Sequence, residues 1–203
     1  NDWKVYLSGE NNFRYRIFPE YKANRRDQTK PKHLEGIREY LVRDWDATIV
    51  DGYEADDALG MASADGYTRG EGTVVVCSID KDLLQLPGKH YNFVKREVKD
   101  VDEFSGAVQF YSQLLIGDPT DNIRGCPGIG KVKAERAFVG CTTPRQLYEQ
   151  CVKQYTLVYG PDKWEKELDL NAQLLYVWRK EDDRWKAPPP QLEEQEPEAK
   201  PSS

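Results

Sequence analysis

Asp51-Gly-Tyr-Glu-Ala-Asp-Asp57 crowds three carboxylates, Glu54, Asp56 and Asp57, into four positions. Anions that close repel one another, and a fold tolerates them in water, at a helix N-terminus, or around a shared cation. The stretch follows Ala47-Thr-Ile-Val50, an apolar run that reads as a strand. It precedes Ala58-Leu-Gly-Met-Ala-Ser63, which reads as a helix. The acids therefore fall where a strand hands over to a helix, the end of an open α/β sheet at which ligands bind. Glu54 and Asp57 are three apart and share a helix face. Complementing the positive helix terminus explains one or two acids, but not three beside two further sets. One of these is Asp80-Lys-Asp82, after Thr73-Val-Val-Val-Cys-Ser-Ile79. The other is Asp118-Pro-Thr-Asp121, before a glycine-rich turn. All-oxygen donors at the ends of strands and helices suit hard divalent cations.

Outward from the acids, Thr73–Ile79 suits a central parallel strand. Asp80 and Asp82 share a side if the backbone after that strand stays extended, with Lys81 pointing away. An isolated Asp-x-Asp is more often an ordinary loop. Asp118 suits a helix N-cap, with Pro119 first and Asp121 third in the helix. Gly125-Cys-Pro-Gly-Ile-Gly130 is a tight turn into a helix bearing Lys131, Lys133 and Arg136. Glycines let the backbone approach a ligand there, and helix N–H groups favour an anion.

Upstream, Trp3–Leu7 reads as a strand and Ser8–Asn12 as a polar turn. Phe13–Pro19 alternates apolar and basic residues. In Glu20-Tyr-Lys-Ala-Asn-Arg-Arg26, Lys22 and Arg25 share a face if helical and suit phosphates, with Arg26 beside them. Tyr21 suits stacking on a base. A solvated basic surface is the plainer reading. Leu34, Ile37, Tyr40, Leu41 and Trp45 form a core-facing helical stripe. His90–Lys99 reads as a pair of short strands or an edge, and Val101 opens a helix carrying Phe104, Val108, Tyr111, Leu114 and Leu115. Thr143-Pro-Arg-Gln146 is a capping box; its helix carries Leu147, Cys151 and Tyr155. Trp164–Lys180 is a further helix, with Leu168, Leu175 and Trp178 inward. The proline- and acid-rich end from Ala187 is expected to be disordered.

The net charge of −6 hides an asymmetry. Arg14–Arg43 holds nine Lys/Arg against four Asp/Glu, whereas Glu181 to the end holds seven acids against three bases. The four cysteines show no Cys-x-x-Cys spacing, which argues against zinc and for reduced thiols. No apolar run reaches membrane-spanning length, and the first residues carry no signal-peptide pattern.

Taken together, four stretches resemble the 5′-nucleases, the flap endonuclease-like enzymes that include phage 5′–3′ exonucleases and the 5′-nuclease domain of bacterial DNA polymerase I. These are Phe18-Pro-Glu-Tyr-Lys-Ala-Asn-Arg25, Glu54-Ala-Asp-Asp57, Ser78-Ile-Asp-Lys-Asp82, and Gly117-Asp-Pro-Thr-Asp-Asn122 with Pro127-Gly-Ile-Gly130. The resemblance spans about Phe13 to Phe138. It implies an α/β fold, with a mostly parallel central sheet flanked by helices, a PIN-like core and a helix-hairpin-helix region. The corresponding divisions are a nuclease core with its gateway over 1–116, helical DNA-binding elements over 117–186 and an acidic tail over 187–203.

It also implies two Mg²⁺ ions, with Mn²⁺ able to substitute, held by Glu54, Asp56, Asp57, Asp80, Asp82, Asp118 and Asp121. Lys22 and Arg25 match gateway residues on the scissile phosphate, and Tyr21 an aromatic there. Arg26, Gly128, Gly130, Lys131 and Lys133 fall to DNA binding, and relatives hold K⁺ at the hairpin turn. The implied substrate is DNA with a 5′ end or flap, with RNA open, cut by a monomer in bacterial or phage-infected cytoplasm. The family carries an aspartate on an earlier strand, and another just before the Phe-Arg pair, where this chain reads Leu7-Ser-Gly-Glu-Asn-Asn12. The expectation is an N-terminally truncated chain with an incomplete metal set and reduced or no activity. A non-catalytic DNA-binding module is the alternative. An RNase of the related metal-dependent fold is disfavoured by the gateway and hairpin.

Overall fold

The computed structural model describes residues 3–26, 28–69 and 74–189. Strand β1 (Tyr6–Asn12) leads into a short helix α1 (Phe13–Ile17). Helix α2 (Leu34–Trp45) precedes β2 (Thr48–Gly52), which pairs in parallel with β1. Helix α3 (Ala55–Arg69) precedes β3 (Val75–Cys77). Strands β4 (Gly88–Asn92) and β5 (Glu97–Val101) form an antiparallel pair, and β3 joins β4 in parallel. Helices follow as α4 (Glu103–Ile116), α5 (Lys131–Ala137), α6 (Pro144–Tyr159) and α7 (Trp164–Leu175).

This is the expected α/β architecture with parallel pairing, divided among the described residues into a two-stranded and a three-stranded sheet. β3 stands at the edge of its sheet rather than at the centre: Val76 is buried, while Val75 and Cys77 are exposed. Ser8–Asn12, read as a turn, continues β1 instead. Asn12 then caps α1, its side chain accepting from the Arg14 amide. Helix α2 forms where the stripe placed it, yet none of its residues is buried. Ile37 remains 54% exposed, and Trp45, still 43% exposed, meets Trp3 in a tilted ring contact at 5.9 Å. Periodicity identified the helix but not what covers it.

The main apolar cluster joins Tyr21 with α4–α7 and Trp185, and so crosses residues 116–117. Leu147, Cys151 and Tyr155 are fully buried along α6, as their spacing predicts, and the Thr143/Gln146 capping box is present. The Tyr155 hydroxyl donates to the Leu114 carbonyl at 2.7 Å and accepts from Asn171 Nδ2 at 3.1 Å. Helix α7 stops at Leu175, five residues early. The carbonyls of Leu174, Leu175 and Tyr176 are taken by side chains of Arg14 and Gln85, so the chain leaves the helix as an extended strap. Trp178 on that strap stacks on Phe13 at 4.9 Å. The disorder expected from Ala187 falls mostly beyond the described residues. The four cysteines are free. No helix among the described residues is long and apolar enough to cross a membrane.

The turn between α4 and α5 is held by two glycines back to back. Gly117 and Gly125 both have positive φ, at +79° and +62°. A Cβ on Gly125 would sit 2.3 Å from the Gly117 nitrogen. Backbone cannot yield as a flexible side chain does, so Gly125→Ala is expected to cost roughly 2–4 kcal/mol. Urea unfolding checks this.

Candidate metal and phosphate site

Two distant stretches make the floor of the site. The Glu20–Arg25 loop docks onto the Asp118–Asn122 turn, about a hundred residues away. Lys22 N–H donates to the Asp121 carbonyl at 3.0 Å, Asn24 Nδ2 to the Pro119 carbonyl at 2.8 Å, and Arg25 Nε to the Thr120 carbonyl at 2.9 Å. Asn122 Nδ2 returns a bond to the Glu20 carbonyl at 2.7 Å. Asp118 caps the 3₁₀ turn Pro119–Asp121, accepting from Thr120 N–H, as its Asp-Pro sequence predicts. Lys22 and Arg25 do not share a helix face. Lys22 lies outside the 3₁₀ turn Ala23–Arg25, with φ 55°. Both nonetheless reach Asp121, from 3.5 and 2.8 Å, and Lys22 Nζ also meets Glu54 at 2.5 Å. Basic and acidic stretches, read separately in the sequence, thus converge. Arg26 turns away, its guanidinium donating to the Pro19 carbonyl.

Tyr21 is a correction. It is 1% exposed and belongs to the main core, so it has no face to offer a base. Its hydroxyl lies 3.0 Å from both Glu54 Oε2 and Asp121 Oδ2. Burial, then the Glu54 charge, holds the phenol protonated far above its ordinary range. One proton therefore serves two carboxylates. Tyr21→Phe keeps the packing and removes that proton, and should destabilise the chain by about 1–2 kcal/mol in urea unfolding.

The second wall is the start of α3, where Ala55 N–H donates to Ser8 Oγ at 2.9 Å. Asp56 is partly buried beside Asp80 and Glu54, and burial followed by those charges pushes its carboxyl up to about 7. Asp57 is different. It is fully buried and its four lone-pair directions are filled: Arg14 Nη1 at 2.6 Å, Arg14 Nη2 at 3.0 Å, Glu54 N–H at 3.0 Å and Trp178 N–H at 3.1 Å. The expectation of a metal ligand at Asp57 gives way to a structural anchor with no free oxygen.

The third wall follows β3. The backbone at Lys81 is helical, not extended, because Asp80 closes a turn by accepting from Asp82 N–H at 2.9 Å. Asp80 is exposed. Asp82 receives Gln113 Nε2 at 2.5 Å, and burial followed by the Asp80 and Asp118 charges pushes it up to about 6. Gln113 and Arg14 escaped the sequence reading. The signal for Gln113 was a polar residue among the buried positions of α4; Arg14 left none, because its partners Asp57 and Leu174 are distant in the chain.

Past the turn, Lys133 Nζ donates to the Gly128 carbonyl at 2.8 Å. Lys131 lies exposed, 3.9 Å from Glu135, and Gly130 opens α5. Tyr21 and Lys22 thus bridge Asp121 to Glu54, Asp56 feels the charges of Glu54 and Asp80, and Asp82 those of Asp80 and Asp118. Among the described residues, no three Asp, Glu, His or Cys side chains stand together as one ion-holding group. The donors themselves, carboxylate oxygens of which two are pushed up by burial and then by neighbouring acids, are of the type a hard divalent cation takes. Saturated Asp57 is not among them.

The model of the 5′-3′ exonuclease N-terminal resolvase-like domain matches residues 3–111. The chain belongs to this family. The match covers β1 through most of α4, and so two walls of the acid site, with Lys22 and Arg25. A DNA polymerase I of Bacillus caldotenax is 33% identical over 157 residues, 66% of this chain and 17% of that protein. A 5′-3′ exonuclease of Halalkalibacterium halodurans is 29% identical over 161 residues, 70% of this chain and 51% of that protein. The chain therefore spans about half or less of these relatives. Among solved structures, a T5 D15 protein co-crystallized with metal ions superposes with a TM-score of 0.53 at 21% identity, covering 85% of this chain and 84% of that one. The T5 D15 flap endonuclease in a pseudo-enzyme-product complex with DNA and metal ions gives 0.51 at 18%. At such identities the likeness establishes the 5′-3′ exonuclease fold and no more. It extends past residue 111 into the helices that bury Tyr21.

Proposed function

We propose that this chain is the nuclease part of a metal-dependent 5′–3′ exonuclease or flap endonuclease that hydrolyses DNA phosphodiester bonds. The observation carrying this reading is the convergence of Lys22 and Arg25 on Glu54 and Asp121. Cations that fit a phosphate stand against carboxylates that fit Mg²⁺ or Mn²⁺. Glu54, Asp56, Asp80, Asp82, Asp118 and Asp121 are the residues to hold two ions. Bound ions supply a water nucleophile and neutralise the leaving oxygen. Asp56, held near 7, would give up its remaining proton as an ion binds, whereas Asp82 is already ionised at pH 7.5. Lys22 and Arg25, released from Glu54 and Asp121, hold the phosphate in line. Lys131 and Lys133, with the Gly128–Gly130 turn, suit the DNA backbone beyond it; K⁺ would compete with Lys133 for the Gly128 carbonyl. The names of the relatives support this reading, as do the metal ions and DNA in the T5 structures. We also place the protein in the cytoplasm as a monomer.

The test incubates the natural protein carrying this chain with a 5′-flap duplex, in Mg²⁺ and in EDTA. Cleavage should be at least about a thousandfold faster with Mg²⁺, since each tenfold requires about 1.4 kcal/mol. Tight binding in EDTA with no cleavage in Mg²⁺ would establish the non-catalytic module instead. An all-RNA flap in parallel decides the sugar preference.

A further inference from the structure

Among the described residues, one of the most fully bonded buried polar groups belongs to no expected role. Arg14, 3% exposed, uses Nη1 and Nη2 on Asp57, Nε on the Leu174 carbonyl at 2.8 Å and Nη2 again on the Tyr176 carbonyl at 2.9 Å. Burial works to lower the guanidinium, and the Asp57 bond and charge, with the Glu54 and Tyr21 charges, together more than reverse it. Asp57 answers by accepting the Trp178 amide and the Glu54 amide. The second of these is the acidic half of a capping box at the start of α3. Gln85 repeats the device alongside, donating to the Leu175 carbonyl and accepting from the Val177 amide, both at 3.0 Å. Close packing finishes the joint: a Cβ on Gly60 would sit 2.1 Å from the Trp178 carbonyl.

We propose that Arg14 and Asp57 are positioning residues, a buried joint through which the 174–178 strap fixes the Glu54 backbone and so the placing of the Glu54 and Asp56 carboxylates. This rests on the nuclease reading only for what those carboxylates hold. Asp57 acts on the site through the Glu54 amide, not by touching an ion. The energetics favour such a role, because removing one partner of a buried pair strands the other, and the damage spreads to everything the pair ties together.

The test takes Asp57→Asn, Arg14→Gln and the double variant through three measurements: thermal unfolding, hydrogen exchange by mass spectrometry, and Mn²⁺ binding by calorimetry. Each single variant should lower the unfolding temperature by about 5–10 °C. The double should be little worse than the poorer single, since both break one unit. Exchange should rise together in 52–58 and 174–179. Mn²⁺ affinity should fall about tenfold, the low end for lost outer-shell support, with the number of ions unchanged. An Asp57→Asn protein that loses one ion while its unfolding temperature and exchange stay put would make Asp57 a ligand and overturn the proposal. So would weaker folding with untouched Mn²⁺ affinity, which would reduce the pair to an ordinary structural contact. If Asp57→Asn does not fold, Arg14→Lys gives the same readouts, because one ammonium cannot serve two carboxylate oxygens and two carbonyls. Should the parent protein bind no Mn²⁺, the nuclease reading fails, and the linked exchange of the two segments still decides the joint.

Discussion

Asp82→Asn should abolish flap cleavage and at the same time make the metal-free protein more stable at neutral pH. The two effects have one cause. Asp82 is held by Gln113 beside Asp80 and Asp118, and its carboxyl is pushed up to about 6 by burial and then by those two charges. Ionised at pH 7.5, it is repelled by its surroundings. Asparagine keeps the shape and an acceptor for Gln113 while removing the repulsion, so a gain on the order of 1 kcal/mol is expected. The same charge is what a divalent ion requires. Metal assistance is worth several kcal/mol of transition-state stabilisation, so the rate should drop by about a thousandfold or more. Single-turnover cleavage in Mg²⁺ and urea unfolding in EDTA test the pair of outcomes. Unchanged cleavage would remove Asp82 from the site, and lowered stability would refute the account of its environment.

Stability of the metal-free chain should fall as pH rises from about 4 to 7, and saturating Mn²⁺ should cancel the fall. Asp56 is displaced upward to about 7, by burial first and then by Asp80 and Glu54. Between about pH 4 and 7 the folded chain keeps a proton that the unfolded chain has released. The stability that proton supplies is present on the acid side and is lost as pH passes through 7. The displacement corresponds to about 4 kcal/mol at about 1.4 kcal/mol per tenfold, and partial exposure reduces this to roughly 2 kcal/mol. Thermal unfolding across the pH range, with and without Mn²⁺, gives the answer. The ion should raise the unfolding temperature at pH 8 far more than at pH 5, and Asp56→Asn should flatten the metal-free curve.

The elements that carry the site were legible because their signals are local. An apolar run ending in acids marks a strand running into a helix, Asp-Pro marks a cap, and paired glycines mark a turn. The fates of individual side chains were not, because they depend on long-range partners. Tyr21 sits among basic residues in the sequence, and only the packing of α4–α7 shows that it lies inside. Asp57 looks like its neighbour Asp56, and what separates them is Arg14, 43 positions upstream. The α2 stripe has the pattern of a buried helix and remains exposed, since a pattern records which face is apolar but not what meets it.

The strap reaching back from α7 bears on how the molecule is made. Residues 174–178 leave the ribosome long after Arg14, Asp57 and Gln85 have done so. At translation speeds of about 5–20 residues per second, the roughly ninety residues between Gln85 and its partners delay the last contacts by several seconds. Until then the nascent chain lacks the strap that backs Arg14, Asp57 and Gln85, and a fragment ending at residue 111 would lack it altogether. The acid site would thus be completed only when nearly all of this chain had been synthesised.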